Sequence, residues 1–506
     1  MALRGIRIAE AGVQFSLGPP HQNHPIAIGW FYKFVATSYY FIMSFKSAVI
    51  LLLAISAIFY LVNLGQLPLD DYDEAIYAQV VRETLENGNW LDFTYFSDVW
   101  IDKPPFHLWL MALSAKFFGL NEFALRLPGA LSGIAASIFI FLIIRQVTKS
   151  NLFSLAGGAA LTLWPLFSSA ARDARLDVPV AAAVLSAIYF YLKGLESPKF
   201  LSGVGVSIGI GLMIKSVFGL LALPFILFWS MVFKNWHWLK NRYLWLGVTV
   251  GSAVALPWHL YEGVKFSGRF WSTYFGFHVI QRLTDNVFHN QTGDADYLFI
   301  FWRHGQPWSL LFLAAAILVT IILANKNFRR RENFKPLIAA SLSSLAIFAA
   351  FLAVPSKLMT YLVPAYPLMI LAVAFAFWGF RGYRRLTIIF AIISFIAAGA
   401  LAVKENFISP KFFNSSFAKD EKEIGIYLDA NSQKEPIFVL GWPHHQSLRY
   451  YSGQEIEPLV SDGEVAIPLP FWLVISNLFI DKYAAVKELP QPYSGEYLTL
   501  VHFSKK

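Results

Sequence analysis

The chain has no cysteine in 506 residues, which excludes disulfides, thiolate nucleophiles and Cys-ligated metal and leaves the redox compartment open. Charge is scarce as well. Asp, Glu, Lys and Arg make up 14% of the residues, against 56% hydrophobic and 17% aromatic, a balance that excludes an ordinary soluble globular protein. No G-x-x-x-x-G-K-[ST] loop and no strand-following G-x-G-x-x-G turn occurs, so neither a nucleotide cofactor nor an ATP-driven transporter is expected. The net charge of +9 comes from short basic clusters between apolar runs rather than from one basic face. It therefore points to membrane orientation and away from nucleic acid.

What the chain does have is a succession of apolar runs, near 46–65, 123–144, 151–170, 178–192, 200–214, 217–233, 243–259, 305–324, 336–354, 360–379 and 386–403. Each is close to the ~20 residues that cross a bilayer as a helix. The shorter "PPFHLWLMALSAKFFG" at 104–119 begins with two prolines and carries Lys116, the marks of an interfacial or re-entrant helix. The expected fold class is an all-α polytopic membrane protein of about 11–13 transmembrane helices. Residues 1–42 read as an extension ahead of "MSFKSAVILLLAISAIFYLVNL", a start-like segment and first helix. Residues 43–403 form the transmembrane domain, with outer loops at 66–122 and 260–304. The far more polar 404–506 reads as a small C-terminal α/β extracytoplasmic domain: "EPIFVLGW", "FWLVISNLF" and "YLTLVHF" are strand-like and "SFAKDEKEIGIYLDA" is an amphipathic helix.

Basic residues set the orientation. Arg145 and Lys149, Lys193 and Lys199, Lys234, Lys240 and Arg242, Lys326 to Lys335, and Arg381, Arg384 and Arg385 mark alternate connections, which the positive-inside rule assigns to the cytoplasm. Residues 66–103 hold nine Asp or Glu against Arg82 and Lys103, so this loop is expected on the other side, in a cell membrane.

Within it, "LPLDDYDEAIYAQVVRETLENGNW" starts an amphipathic helix. Asp71 and Glu74 have capping-box spacing, which is the structural reading of those acids. The close packing of Asp73 and Glu74 with their neighbours requires a positive partner: a cation, a basic side chain or a proton. "VWIDKPPFHLWL" sets Asp102 beside Lys103 before a diproline, and "ARDARLDVPV" adds Arg172, Asp173, Arg175 and Asp177, the last also an N-cap candidate. Acids paired with bases in successive outer loops describe a polar cavity at membrane depth, where ionisable groups are functional candidates.

Taken together, "DEAIYAQVVRETLENGNW", "DKPPFHLWLMALSAKFFGLNEFALRLPGAL", "ARLD", "HVIQR" and "SKLMTYLVPAYP" resemble the membrane glycosyltransferases of the GT-C fold, in the group of lipid A aminoarabinose transferases and protein O-mannosyltransferases. The resemblance spans roughly residues 46–380. It implies transfer of a hexosyl or pentosyl group, with inversion, from a polyprenyl-phosphate donor to a lipid, glycan or protein acceptor. By the same resemblance Asp73, with Glu74 beside it, is the first catalytic acid and Asp177 the second. Asp102 and His278 would ligate a divalent cation, and Lys103, Lys215, Arg282, Lys357 and Tyr361 would bind the carrier phosphate or substrate. Two departures stand out: Ile76 and Gln79 occupy positions where the family has Arg and a second Glu, and Asp102 replaces the usual Glu. A secondary transporter and a non-catalytic envelope assembly protein are the alternatives. A transporter would place its ionisable residues near mid-membrane, whereas these fall at the ends of spans.

Overall fold

A computed structural model of the chain describes residues 43–285, 294–380, parts of 389–407, 417–441, 445–459, and 467–504 apart from 481, 484, 485 and 487. The expected extension at 1–42, the basic cluster at Arg381–Arg385 and parts of the 260–304 loop and of the 386–403 run lie outside the described residues. The chain divides into Met1–Ser44 and Phe45–Lys506, and the helices, sheet and candidate site all belong to the second unit.

The protein is a polytopic helical membrane protein. Five helical stretches among the described residues are long and apolar enough to cross a membrane: Glu122–Thr148, Asp177–Glu196, Pro198–Phe233, Glu332–Ala353 and Thr360–Gly379. Two bent pairs raise the number to seven, against the eleven to thirteen expected. The count covers the described residues alone, and the remaining apolar helices differ in length and shape. Phe45–Leu61, with 17 residues, is at the lower end of the spanning range, and Phe106–Phe118, with 13, is short of the ~20 typical of a span. Arg242–Lys265 is long, but its apolar stretch is diluted by Thr249, Ser252, Pro257 and His259. Asn151–Thr162 and Pro165–Ala171 meet at 69°, since Pro165 has no N–H to continue the helical ladder. The runs at 200–214 and 217–233 form one stretch that turns sharply at Ser216–Leu221. There a Cβ on Gly219 would collide with the Leu212 nitrogen, impossible in a straight helix rising about 1.5 Å per residue.

Close approach through glycine sets one side of the bundle. Helices Ser202–Lys215 and Arg242–Lys265 cross backbone to backbone: a Cβ on Gly251 would collide with the Gly205 carbonyl oxygen, and one on Gly205 with the Gly247 carbonyl. Small residues allow such contact between membrane helices. Beyond this crossing, Arg242–Lys265 leads into the aromatic π-helix Trp271–Gln281. Helix Asp73–Asn87 and the hairpin of β1 (Thr94–Tyr95) and β2 (Asp98–Val99) pack with Phe106–Phe118 in a second core built on Tyr77, Val80, Trp100, Leu108 and Met111.

The tail folds as an α/β sheet. Strands β3 (Ile437–Leu440), β4 (Ile456–Pro458), β5 (Phe471–Ser476), β6 (Tyr493–Ser494) and β7 (Leu498–Phe503) lie in the order β4-β3-β5-β7-β6. β3 is parallel to β4 and β5, and β7 is antiparallel to β5 and β6. Every residue of β5 is buried, as an uninterrupted apolar run in a central strand requires. Helix Ala418–Asn431 covers one face with Ile424 and Leu428. Tyr450, from the short helix Gln446–Ser452, is buried in the outer-loop core of the helical part.

Candidate active site

The acidic stretch is held by two arginines from later in the chain. Arg126 forms a bidentate pair with Glu74, Nε to Oε1 and Nη2 to Oε2 both at 2.7 Å, and also donates to the carbonyls of Leu64, Leu67 and Pro68. Glu74 accepts further hydrogen bonds from the Asp70 and Ala174 amides and is fully buried. Burial alone would raise its carboxyl pKa, but the Arg126 charge and these hydrogen bonds hold it below the ordinary carboxylate range. The oxygens of Glu74, which is expected beside the catalytic acid, thus tie its own loop to helix Glu122–Thr148 and to the loop at Ala174.

Arg175, in the loop before helix Asp177–Glu196, reaches Asp70 at 2.8 Å, Asp73 at 3.8 Å and Asp173 at 3.7 Å. Asp173 is the least compensated of these acids: burial and the nearby Glu74 charge push its carboxyl up to about 8. Asp73 is the open one, with its side chain 36% exposed and its carboxylate held only loosely by the distant Arg175. It stands at the first position of its helix. The residue before it, Tyr72, has φ 73° and no side-chain cap, a left-handed conformation that is costly for a bulky side chain.

The expected capping box does not form. Asp71 Oδ1 instead accepts a hydrogen bond from the backbone amide of Ser447 in the tail, at 2.9 Å, and Glu74 turns back to the Asp70 amide.

Asp102 and His278 meet, with Oδ1 to Nε2 at 3.1 Å. On the other side of the ring, Lys103 Nζ lies 3.2 Å from Nδ1. An ammonium has only donors, so Nδ1 accepts from Lys103 and Nε2–H donates to Asp102, which fixes the neutral tautomer. Consistently, burial and the Lys103 charge push His278 down to about 4. Burial would raise Asp102, but His278, Lys103 and Arg282 hold it below the ordinary range. Burial first, and Arg282 second, push Lys103 down to about 8, with Asp73 and Lys215 also acting on it. These groups thus lie within electrostatic range of one another. As for the divalent cation, both His278 nitrogens are committed, and no group of three His, Cys, Asp or Glu side chains among the described residues is placed to hold a metal.

Asp177 is buried, 2% exposed, with Oδ1 on Lys215 Nζ at 2.5 Å. It is the first residue of its helix and not its N-cap. Asp177, the expected second catalytic acid, thus has its carboxylate paired with Lys215 and fixes the position of that ammonium. The Lys215 ammonium lies 4.7 Å from the Phe218 ring centroid and 5.3 Å from that of Tyr361. Tyr361 in turn accepts a hydrogen bond from Arg282 Nη1 at 2.7 Å. Lys357 donates to the Val354 carbonyl at 2.8 Å, in the loop leading to Tyr361, and Ser356 Oγ donates to the Asp285 carbonyl, tying that loop to the segment after Arg282. Sequence reasoning notes Arg175 without assigning it, and misses Arg126, whose only signal is a lone arginine in an apolar run.

Comparison with known proteins agrees with the resemblance that the motifs carry, a bundle of apolar helices followed by a small α/β sheet being similar in fold to solved GT-C proteins. Residues 102–261 match the family model described as dolichyl-phosphate-mannose-protein mannosyltransferase. ArnT from Cupriavidus metallidurans bound to undecaprenyl phosphate superposes with a TM-score of 0.68 at 19% identity, over 90% of this chain and 97% of that one. The archaeal oligosaccharyltransferase AglB from Archaeoglobus fulgidus gives 0.51 at 12% identity, over 84% and 64%. These likenesses show the fold. In sequence, an undecaprenyl phosphate-alpha-4-amino-4-deoxy-L-arabinose arabinosyl transferase of Pseudomonas fluorescens is 29% identical over 62% of this chain and 53% of its own length. An uncharacterised protein of Aquifex aeolicus is 26% identical over 63% and 61%. The matched region spans little more than half the length of these relatives.

Proposed function

We propose that the protein is an inverting glycosyltransferase that moves a hexose or pentose from a polyprenyl-phosphate carrier to a hydroxyl of a lipid, glycan or protein acceptor, on the extracytoplasmic side of a cell membrane. The observation that carries this reading is a half-open carboxylate, Asp73, within electrostatic range of the cations Lys103, Lys215 and Arg282. The acceptor oxygen attacks the anomeric carbon, its proton passes to Asp73, and the bond from that carbon to the phosphate oxygen breaks. The bonding pair leaves with the carrier phosphate. Lys103 and Arg282 stabilise the charge that develops there, the contribution usually largest in such reactions, and the Asp73 carboxylate also faces the positive charge building on the sugar ring.

The test is to incubate purified protein with a panel of polyprenyl-phosphate sugars and measure free polyprenyl phosphate; no release from any donor would end this reading. A chelator arm addresses the cation implied by the family resemblance. With both His278 nitrogens engaged, turnover is expected to survive chelation, and loss of activity restored by added Mg²⁺ or Mn²⁺ would show that the substrate phosphate recruits an ion.

A further inference from the structure

The tail is joined to the acidic stretch more closely than a separate domain needs to be. Helix Gln446–Ser452 grips the backbone just before Asp73 at three points. Tyr451 Oη accepts from the Leu69 amide at 2.8 Å, Ser447 Oγ donates to the Leu69 carbonyl at 3.2 Å, and the Ser447 amide donates to Asp71 Oδ1 at 2.9 Å. The Tyr451 hydroxyl proton goes on to Glu122 Oε1 at 2.8 Å, a carboxylate also paired with Lys422 of the tail at 2.5 Å. Alongside, Arg82 donates to the Tyr450 carbonyl at 2.7 Å and covers the Tyr450 ring at 4.0 Å, and Tyr95 bonds Gln446.

From the opposite side Arg126 and Arg175 hold Glu74 and Asp70. Residues 69–72 are therefore clamped between tail and bundle, and the clamp ends on Tyr72, whose left-handed backbone turns the chain into Asp73. A strained residue keeps its conformation only where its surroundings over-determine it. Taking the proposed function as the frame, we infer that Asp71 and Tyr451 are positioning residues: through them the tail sets the placement of the Asp73 carboxylate, so that the tail governs turnover without touching the donor.

The consequence is a split between kcat and KM. Donor contacts lie at Lys103, Lys215 and Arg282, away from the clamp, whereas a misplacement of about 1 Å at a reacting group can cost ~100-fold in rate. The experiment uses full-length protein in detergent, with Tyr451→Phe, Asp71→Ala and Asp71→Asn, and reads two signals: hydrogen exchange at the backbone amides of residues 69–72, and kcat and KM for the carrier-linked sugar. Tyr451→Phe and Asp71→Ala are expected to speed exchange in that segment and to lower kcat by at least ~10-fold, with KM within about twofold. Asp71→Asn, which keeps an oxygen acceptor for the Ser447 amide, should restore both signals. Faster exchange with unchanged kcat would reduce the tail to a cover, and a loss expressed in KM, or an Asp71→Asn as impaired as the alanine variant, would overturn the inference. Failure of the wild-type chain to release carrier from any donor would sink the proposed function instead, and unchanged exchange in the variants would then show that the tail does not hold this stretch at all.

Discussion

Two neighbouring acids, Asp73 and Glu74, have opposite assignments, and the difference lies in what each carboxylate already touches. Glu74→Gln leaves Arg126 buried without its counter-charge, a change that typically costs about 3–5 kcal/mol, so the expected result is a lower unfolding temperature in detergent and poor yield. Asp73→Asn keeps shape and removes charge at a half-open position. It should leave unfolding and carrier binding nearly unchanged while turnover falls at least ~100-fold, the usual scale for losing a general base. Equal loss of stability in the two variants would remove the distinction. Lys103 supplies a pH signature: its pKa of about 8 means that it is mostly charged at neutral pH and loses that charge as pH rises through 8. Affinity for the carrier phosphate is therefore expected to fall as pH rises above about 8, and to go on falling until the higher pKa that Lys103 takes beside the bound phosphate is passed. In Lys103→Arg, which stays charged throughout this range, that fall should vanish; a titration curve unaltered by the substitution would exclude Lys103 as its source.

At the scale of elements, the outer helix, the helices of the bundle and the α/β character of the tail were legible because each rests on local periodicity. "FWLVIS" is a buried strand by its apolar run alone, and helix Asp73–Asn87 by its apolar face. Asp102 and His278 could be brought together only through the family resemblance, since nothing local links residues in separate loops. Helix Gln446–Ser452 was not legible: its seven residues are too few to show a period, and its meaning lies in where Tyr450 and Tyr451 dock. The capping box failed for a related reason, since local spacing cannot reveal that Ser447 competes for Asp71. The sharp turn around Gly219 falls where the expected runs 200–214 and 217–233 meet, whereas the bend at Pro165 inside the expected 151–170 run rests on a proline whose effect is local. The glycine crossing yields a prediction of its own. Gly205→Val places side-chain atoms where the Gly247 backbone stands, and overpacking of this kind typically costs about 1–3 kcal/mol. Because Ser202–Lys215 ends on the lysine that Asp177 holds, the variant should lose thermal stability and carrier affinity together; a fully stable Gly205→Val with normal affinity would show that the crossing can open without moving Lys215.

For the molecule as a whole, the hydrogen bonds that join the 66–122 segment to the tail make topology a test of the entire reading. Asn87 ends the outer helix and Glu457 lies on β4 of the tail, both exposed, while Lys326 is an exposed residue in the connection between helices Trp308–Ala324 and Lys335–Ala353. Helix Lys335–Ala353 runs from that connection toward the Lys357 loop, so Lys326 should lie across the membrane from the cavity. The hydrogen bonds from Leu69, Asp71 and Glu122 to the tail require residues 66–122 and the sheet to share a side. A chain with no cysteine allows single-cysteine labelling without background. A membrane-impermeant maleimide added to intact cells should therefore modify Asn87→Cys and Glu457→Cys, and reach Lys326→Cys only after permeabilisation. Labelling of Asn87 and Glu457 from opposite sides would break the clamp on Asp73. Labelling of both only from the cytoplasm would keep the clamp but invert the molecule, and the sugar transfer would then draw on a carrier presented inside the cell. The basic connections at Arg145, Lys193, Lys234 and Lys326 argue against that inversion: each lies at or beyond the end of a bundle helix away from the cavity, where the positive-inside rule puts the cytoplasm.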